Sequence, residues 1–156
     1  MSDPNPNPAP SRTPEQRKRD VLARLDGDVD LWVATASSTG APTMVPLSFL
    51  WHGGALLMST RRTNPTARNV APSGPMVVSL GQTRDVVLIE GTAEVVESAA
   101  LDREAGEAFV AKMDGWDPRT TPPWVFIRLT PDSMKAWREE NELGTRQLMR
   151  AGAWLV

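Results

Sequence analysis

From Asp30 onward the chain is cut into short apolar, β-branched runs by Gly, Pro, Ser and Thr, and this pattern points to a meandering antiparallel sheet. The runs are Leu31–Ala36, Pro42–Trp51, Ala55–Thr60, Pro75–Leu80, Asp85–Val96 and Trp124–Leu129, with Met134–Arg138 a candidate seventh. Ser37-Ser38-Thr39-Gly40 and His52-Gly53-Gly54 supply turns between the first three. Three helices are expected beside the strands. Thr13-Pro14-Glu15-Gln16 combines an N-cap, a proline at the first helical position and a capping box, which predicts a helix to about Leu25. Asn64-Pro65 opens a short helix to about Ala71, and Ser98 is expected to cap a third that ends near Lys112, followed by a loop from Trp116 to Pro123. Strands and helices do not alternate, so a parallel doubly wound sheet is disfavoured. The expected fold is mainly β with peripheral helices, a closed or partly closed antiparallel barrel of six to seven strands.

A chain of 156 residues suits one domain. Residues 1–12, rich in Pro and Asn, are expected to be a mobile tail; 13–140 form the barrel domain; 141–156 extend past it as a candidate dimer arm. No apolar stretch is long enough for a membrane helix and the first residues hold no apolar leader, so the expectation is a cytoplasmic protein with no membrane partner.

Composition removes much chemistry. There is no cysteine and no tyrosine, and His52 is the one histidine, which excludes disulfides, thiolate nucleophiles and multi-histidine metal sites. A balance of 17 basic and 19 acidic residues argues against non-specific nucleic-acid binding. Distribution is more telling. The 54 residues between Asp30 and Asp85 contain no acid, although acids are 19 of the 156, and the same stretch carries Arg61, Arg62, Arg68 and Arg84. A positive field at one end of the sheet is expected from this. Ser59, Thr60, Arg61, Arg62, Thr66, Arg68 and Asn69 crowd one strand–helix junction, in outline a phosphate cradle, with the helix start adding free amides. The plainer alternative is a strand-rich stretch that avoids acids for their poor β propensity, with the arginines as a solvated edge. His52 reads as a turn residue, and Glu90 and Glu94 as the polar outer face of a strand. Trp137 with Arg138 offers an indole and a guanidinium to a flat anionic ligand.

Several pieces together resemble the pyridoxamine 5′-phosphate oxidase-like split-barrel family, especially its actinobacterial flavin/deazaflavin-dependent oxidoreductase branch. They are Leu31-Trp32-Val33-Ala34-Thr35-Ala36, the turn Gly40-Ala41-Pro42, Met44-Val45-Pro46-Leu47-Ser48-Phe49-Leu50-Trp51, Leu56-Leu57-Met58-Ser59-Thr60, Ala67-Arg68-Asn69-Val70, and the strand Val87 to Val96. The resemblance spans roughly residues 18–140. It implies an FMN-binding split-barrel fold, a homodimer, and coenzyme F-420 or FMN in a groove between subunits. The strand carrying Thr43, Val45, Pro46 and Ser48 would present backbone groups to the reactive ring, and Ser59 to Asn69 would hold the phosphate. Thr66 stands where relatives usually carry a lysine, so that charge would fall to Arg61 or Arg62. The implied function is hydride transfer between the cofactor and a small organic substrate. The ring carries that chemistry, so a chain poor in catalytic side chains suffices, and no general acid is named beyond a hydroxyl such as Ser48. A non-catalytic flavin- or haem-binding module and true pyridoxamine 5′-phosphate oxidation remain open, the latter needing a second phosphate site.

Overall fold

In the computed structural model, which describes residues 9–156, helix α1 (Pro14–Gly27) starts as its sequence predicts. Thr13 accepts from the Gln16 amide and the Gln16 side chain accepts from the Thr13 amide, satisfying two N-terminal donors. Eight strands follow: β1 (Asp30–Ala36), β2 (Pro42–His52), β3 (Ala55–Arg61), β4 (Ser73–Leu80), β5 (Val86–Val96), β6 (Trp124–Trp137), β7 (Gln147–Arg150) and β8 (Ala153–Trp154). Helix α2 (Pro65–Val70) joins β3 to β4, and α3 (Arg103–Lys112) lies between β5 and β6. The sheet order is β3-β2-β1-β4-β5-β6, and β3 also pairs with β6. All pairings are antiparallel, so six strands close into a barrel and β7 and β8 continue from β6. The β2–β3 turn works because Gly53 and Gly54 both take positive φ, which a two-residue hairpin of this hand requires.

Inward residues such as Leu31, Val33, Phe49, Met58, Ile89 and Ile127 fill the barrel, and Ala67 and Val70 of α2 stop one mouth. A smaller cluster lies outside, where Ala105 and Phe109 of α3 cover Leu50, Leu57 and Phe126. The ladder between β5 and β6 bulges at Glu90/Gly91. A Cβ at position 91 would land on the Thr130 carbonyl, so glycine is the residue that lets the two backbones approach.

Four expectations are corrected. Ser98 does not cap α3; it begins a 3-10 turn, Ser98–Ala100, that ends where buried Leu101 dips into the outer cluster, and Asp102 caps α3 by accepting from the Ala105 amide at 3.0 Å. Trp124–Leu129 and Met134–Arg138 are one strand, because Pro131 stands after the β3 ladder has ended and before the β7 ladder begins, where its missing amide breaks no pairing. Residues 141–156 fold back onto the barrel, and Leu148 and Met149 join its core. Of the expected tail, residues 1–8 lie outside the described residues, whereas Arg12 is held by Glu142 at 2.9 Å and Asp20 at 2.9 Å.

Candidate functional site

Along β2 the hydrogen-bonding direction alternates. Phe49 donates to Val29 and Ser37 donates to Ala41, so odd-numbered residues of β2 bond β1 and even-numbered ones face the other way. Pairing to β3 covers only Phe49 to His52, which leaves Pro42–Ser48 without a second partner among the described residues. This is the split in the barrel. Pro42 and Pro46 fall on the open side, where an absent N–H costs nothing, and Met44 and Ser48 carry the two amides that face it. Thr43 and Val45 are half-buried and lean on the core side. Pro46 is exposed opposite Trp32, and the Ser48 hydroxyl donates to Asp30 at 2.7 Å.

The β3–α2 junction puts most of its hydroxyl groups to structural use. Ser59 is buried and donates to the Val125 carbonyl at 2.8 Å; Thr60, also buried, accepts from Asn64 Nδ2 at 2.8 Å, so Asn64 does not cap α2 with its side chain. Thr66 is buried, 2 % exposed. Asn69 Nδ2 donates to Thr35 at 3.0 Å and pins α2 to β1. With six residues, α2 offers only a weak dipole. Of the arginines, Arg61 lies over the Trp124 ring, 5.8 Å from its centre, and Arg62 is clamped by both oxygens of Glu97. That pairing holds the exposed Glu97 carboxyl below the usual range and raises Arg62. Arg68 is exposed and forms no ion pair among the described residues.

Trp137, Arg138 and Arg84 do not join this junction within one protomer. Trp124 pairs with Arg61 at one end of the 14-residue β6 and Trp137 pairs with Val86 at the other, roughly 45 Å of extended chain away. Arg138 binds Asp85 at 3.3 Å, Arg84 approaches Glu139 at 3.8 Å, and Arg146 lies 6.0 Å over Trp137. The expected single positive end is therefore divided between two ends. His52 lines an open cavity of about 480 Å³ with Asp102 and Arg128, and Glu94 pairs with Arg128 at 3.3 Å. Glu90 sits between Val77 and Ser133 on the outer sheet face, so no carboxylate pair forms.

Two features escaped the sequence reading. Trp124 is the aromatic group at the arginine junction, a neighbour only strand pairing reveals. The second is a largely apolar cavity of about 290 Å³ between β1 and β4, lined by Ala34–Ala36 and Pro75–Val77. Its cause is Pro75. The amide of Val95 donates to Pro72, so odd residues of β4 face β1, and Pro75 has no N–H with which to continue the ladder beyond Ala34–Val77. The same outer face exposes Trp32 (45 %) and Met44 (65 %) beside Pro46. Among the described residues no cluster could hold a metal ion, and no helix is long and apolar enough to cross a membrane.

Comparison with known proteins agrees with this architecture. General Stress Protein 26 from Bacillus anthracis is similar over 79 % of this chain and 95 % of its own, at 20 % identity and a TM-score of 0.63. The conserved hypothetical protein Rv2991 from Mycobacterium tuberculosis is 18 % identical, with 81 % and 87 % coverage and a TM-score of 0.61. HutZ, the haem storage protein from Vibrio cholerae, is 17 % identical, with 73 % and 89 % coverage and a TM-score of 0.54. At such identities the likeness is one of fold. No curated protein matches the chain. Residues 21–138 match the family described as pyridoxamine 5′-phosphate oxidase, and with most of its length inside that match the chain belongs to this family.

Proposed function

We propose that the protein binds a flavin-type ring, FMN or coenzyme F-420, along the open edge of β2 and acts as a dimeric oxidoreductase on a small organic substrate. The observation that carries this reading is the unpaired backbone of Pro42–Ser48, opposite the β3–α2 junction, in a chain of this family. The edge fits such a ring: the Met44 and Ser48 amides donate, and the carbonyls of even-numbered residues accept. Arg61 and Arg68, neither paired with an acid among the described residues, are the cations nearest to hand for a charged tail, with Thr60, Thr66 and Asn69 holding the loop that carries them. The bound ring would supply the hydride chemistry. The chain orients it through the β2 amides, and Ser48, already donating to Asp30, is not free to give a proton. Exposed Trp32 and Met44 suit burial against a second copy, and only a second copy can bring Trp137 and Arg138 to the junction. The same reading sets the protein in the cytoplasm.

Titration of the purified protein with FMN and with F-420 tests this. A saturable change in ring absorbance or fluorescence with one of them is expected, and none with either defeats the proposal. Met44→Pro should keep the fold, because prolines already occupy positions 42 and 46 in the same register, yet weaken ring binding about fivefold through loss of one donor. The likeness to a haem storage protein favours a second reading, a haem-binding module with His52 as its one imidazole. A Soret band on adding haemin that disappears in His52→Ala would select that reading instead.

A further inference from the structure

Arg62 faces away from the β2 edge, into a cavity of about 210 Å³ that it shares with Arg119, Glu97, Ser98, Pro123 and Trp124. Each guanidinium group is paired with a carboxylate, Arg62 with Glu97 and Arg119 with Asp117. Arg119 is held by Asp117 through two parallel bonds of 2.9 Å, and it lies against Gly106 of α3, where a Cβ would strike its guanidinium. The Arg62 main chain is fixed by its amide donating to Pro123 at 3.0 Å.

The two carboxylates differ. Asp117 also accepts from the Arg119 amide at 2.9 Å, and its side chain is 22 % exposed. Among the described residues the Glu97 carboxylate hydrogen-bonds only Arg62, and both side chains are just over half exposed, a setting in which an ion pair adds little to stability. Glu97 is thus a weakly held carboxylate on the bidentate face of an arginine whose main chain is fixed, beside an indole and a diproline wall.

We propose that this slot is an oxyanion-binding site in which Glu97 is a tethered stand-in, displaced when a phosphate or carboxylate carried on an apolar or aromatic body engages Arg62 and packs on Trp124. The site lies outside the β2 edge and needs no flavin. It is tested on the full-length protein at low salt by following the Arg62 Nε–H and Trp124 Nε1–H signals in NMR during titration with phenyl phosphate, with inorganic phosphate as comparator. Both signals should shift saturably, with phenyl phosphate the tighter ligand. Glu97→Gln should bind about fivefold more tightly, because the competing carboxylate charge is gone while the side chain's shape is kept. Arg62→Lys, which keeps the charge and loses the fork, should bind more weakly than the parent, whereas Arg150→Ala, an exposed arginine on β7, should bind like it. Unchanged or weaker binding by Glu97→Gln, parental binding by Arg62→Lys, or a Trp124 signal that does not move would each overturn the proposal.

Discussion

The two ends of the barrel treat charge in opposite ways. Where the β4–β5 turn meets α1 and the C-terminal segment, nearly every ionic group is matched. Arg17 is the exception: fully buried with no carboxylate bonded to it, it donates to the carbonyls of Ala136 and Thr145 and to the Thr145 hydroxyl, while its Nε has no partner among the described residues. Glu142, 2 % exposed, accepts from the Arg12 side chain and from the Arg12 and Arg138 amides. Burial alone would raise the Glu142 carboxyl, but those hydrogen bonds outweigh it and bring it down to about 2. At the other end, where β3 enters α2, Arg61 and Arg68 have no acid partner and β2 has an unpaired edge among the described residues, and Pro75 holds two strands apart. One end is built for stability. The other leaves hydrogen-bonding capacity unspent, as a binding surface requires.

The sharpest break of this contrast is Glu142→Ala, which removes the buried partner of Arg12, leaving it Asp20 and Asp85, and takes away the negative charge near buried Arg17; a loss of about 3 kcal/mol is expected in urea unfolding. A loss below 1 kcal/mol would mean that the matched end is not the stable one. Acid titration comes next. Because the folded Glu142 carboxyl lies below its ordinary value, its contribution is complete above about pH 4.5 and is lost as pH falls toward about 2; a shift of this size corresponds to about 3 kcal/mol. Unfolding curves at pH 6, 4 and 3 check this, and Glu142→Gln should flatten that part of the profile. Asn69→Ala removes the bond to Thr35 and should cost about 1 kcal/mol, with faster amide exchange confined to α2 and its contacts. Smallest in stability are Arg61→Ala and Arg68→Ala, each expected within about 0.5 kcal/mol of the parent while ring binding weakens. If instead they destabilise the fold and leave ring binding intact, the open end is structural.

Local signals in the sequence were readable. The capping box at Thr13, the glycine turn after His52 and the alternation of β1, β4 and β5 depend on neighbours a few residues away, and the structure places them as expected, apart from a residue or two at their ends. The third helix start failed because Ser98 is a competent cap in isolation, and only the pull of Leu101 into a distant apolar cluster moves the start to Asp102. Trp124–Leu129 and Met134–Arg138 look like separate runs because the sequence does not reveal which neighbours of Pro131 would ask for an amide there. The arginine cluster was visible as composition, but Arg62 is answered by Glu97, 35 residues on, and Arg138 by Asp85, 53 residues back.

By itself the sequence determined an antiparallel β architecture, the place of the helices and the scarcity of catalytic side chains, since period, capping and residue type act over short distances. Only the tertiary structure decided which arginines are already paired, which edge of β2 stays open, and that Trp137 and Trp124 stand at opposite ends of one strand. Those outcomes depend on barrel closure, which joins residues far apart in sequence and assigns each backbone group a partner or none.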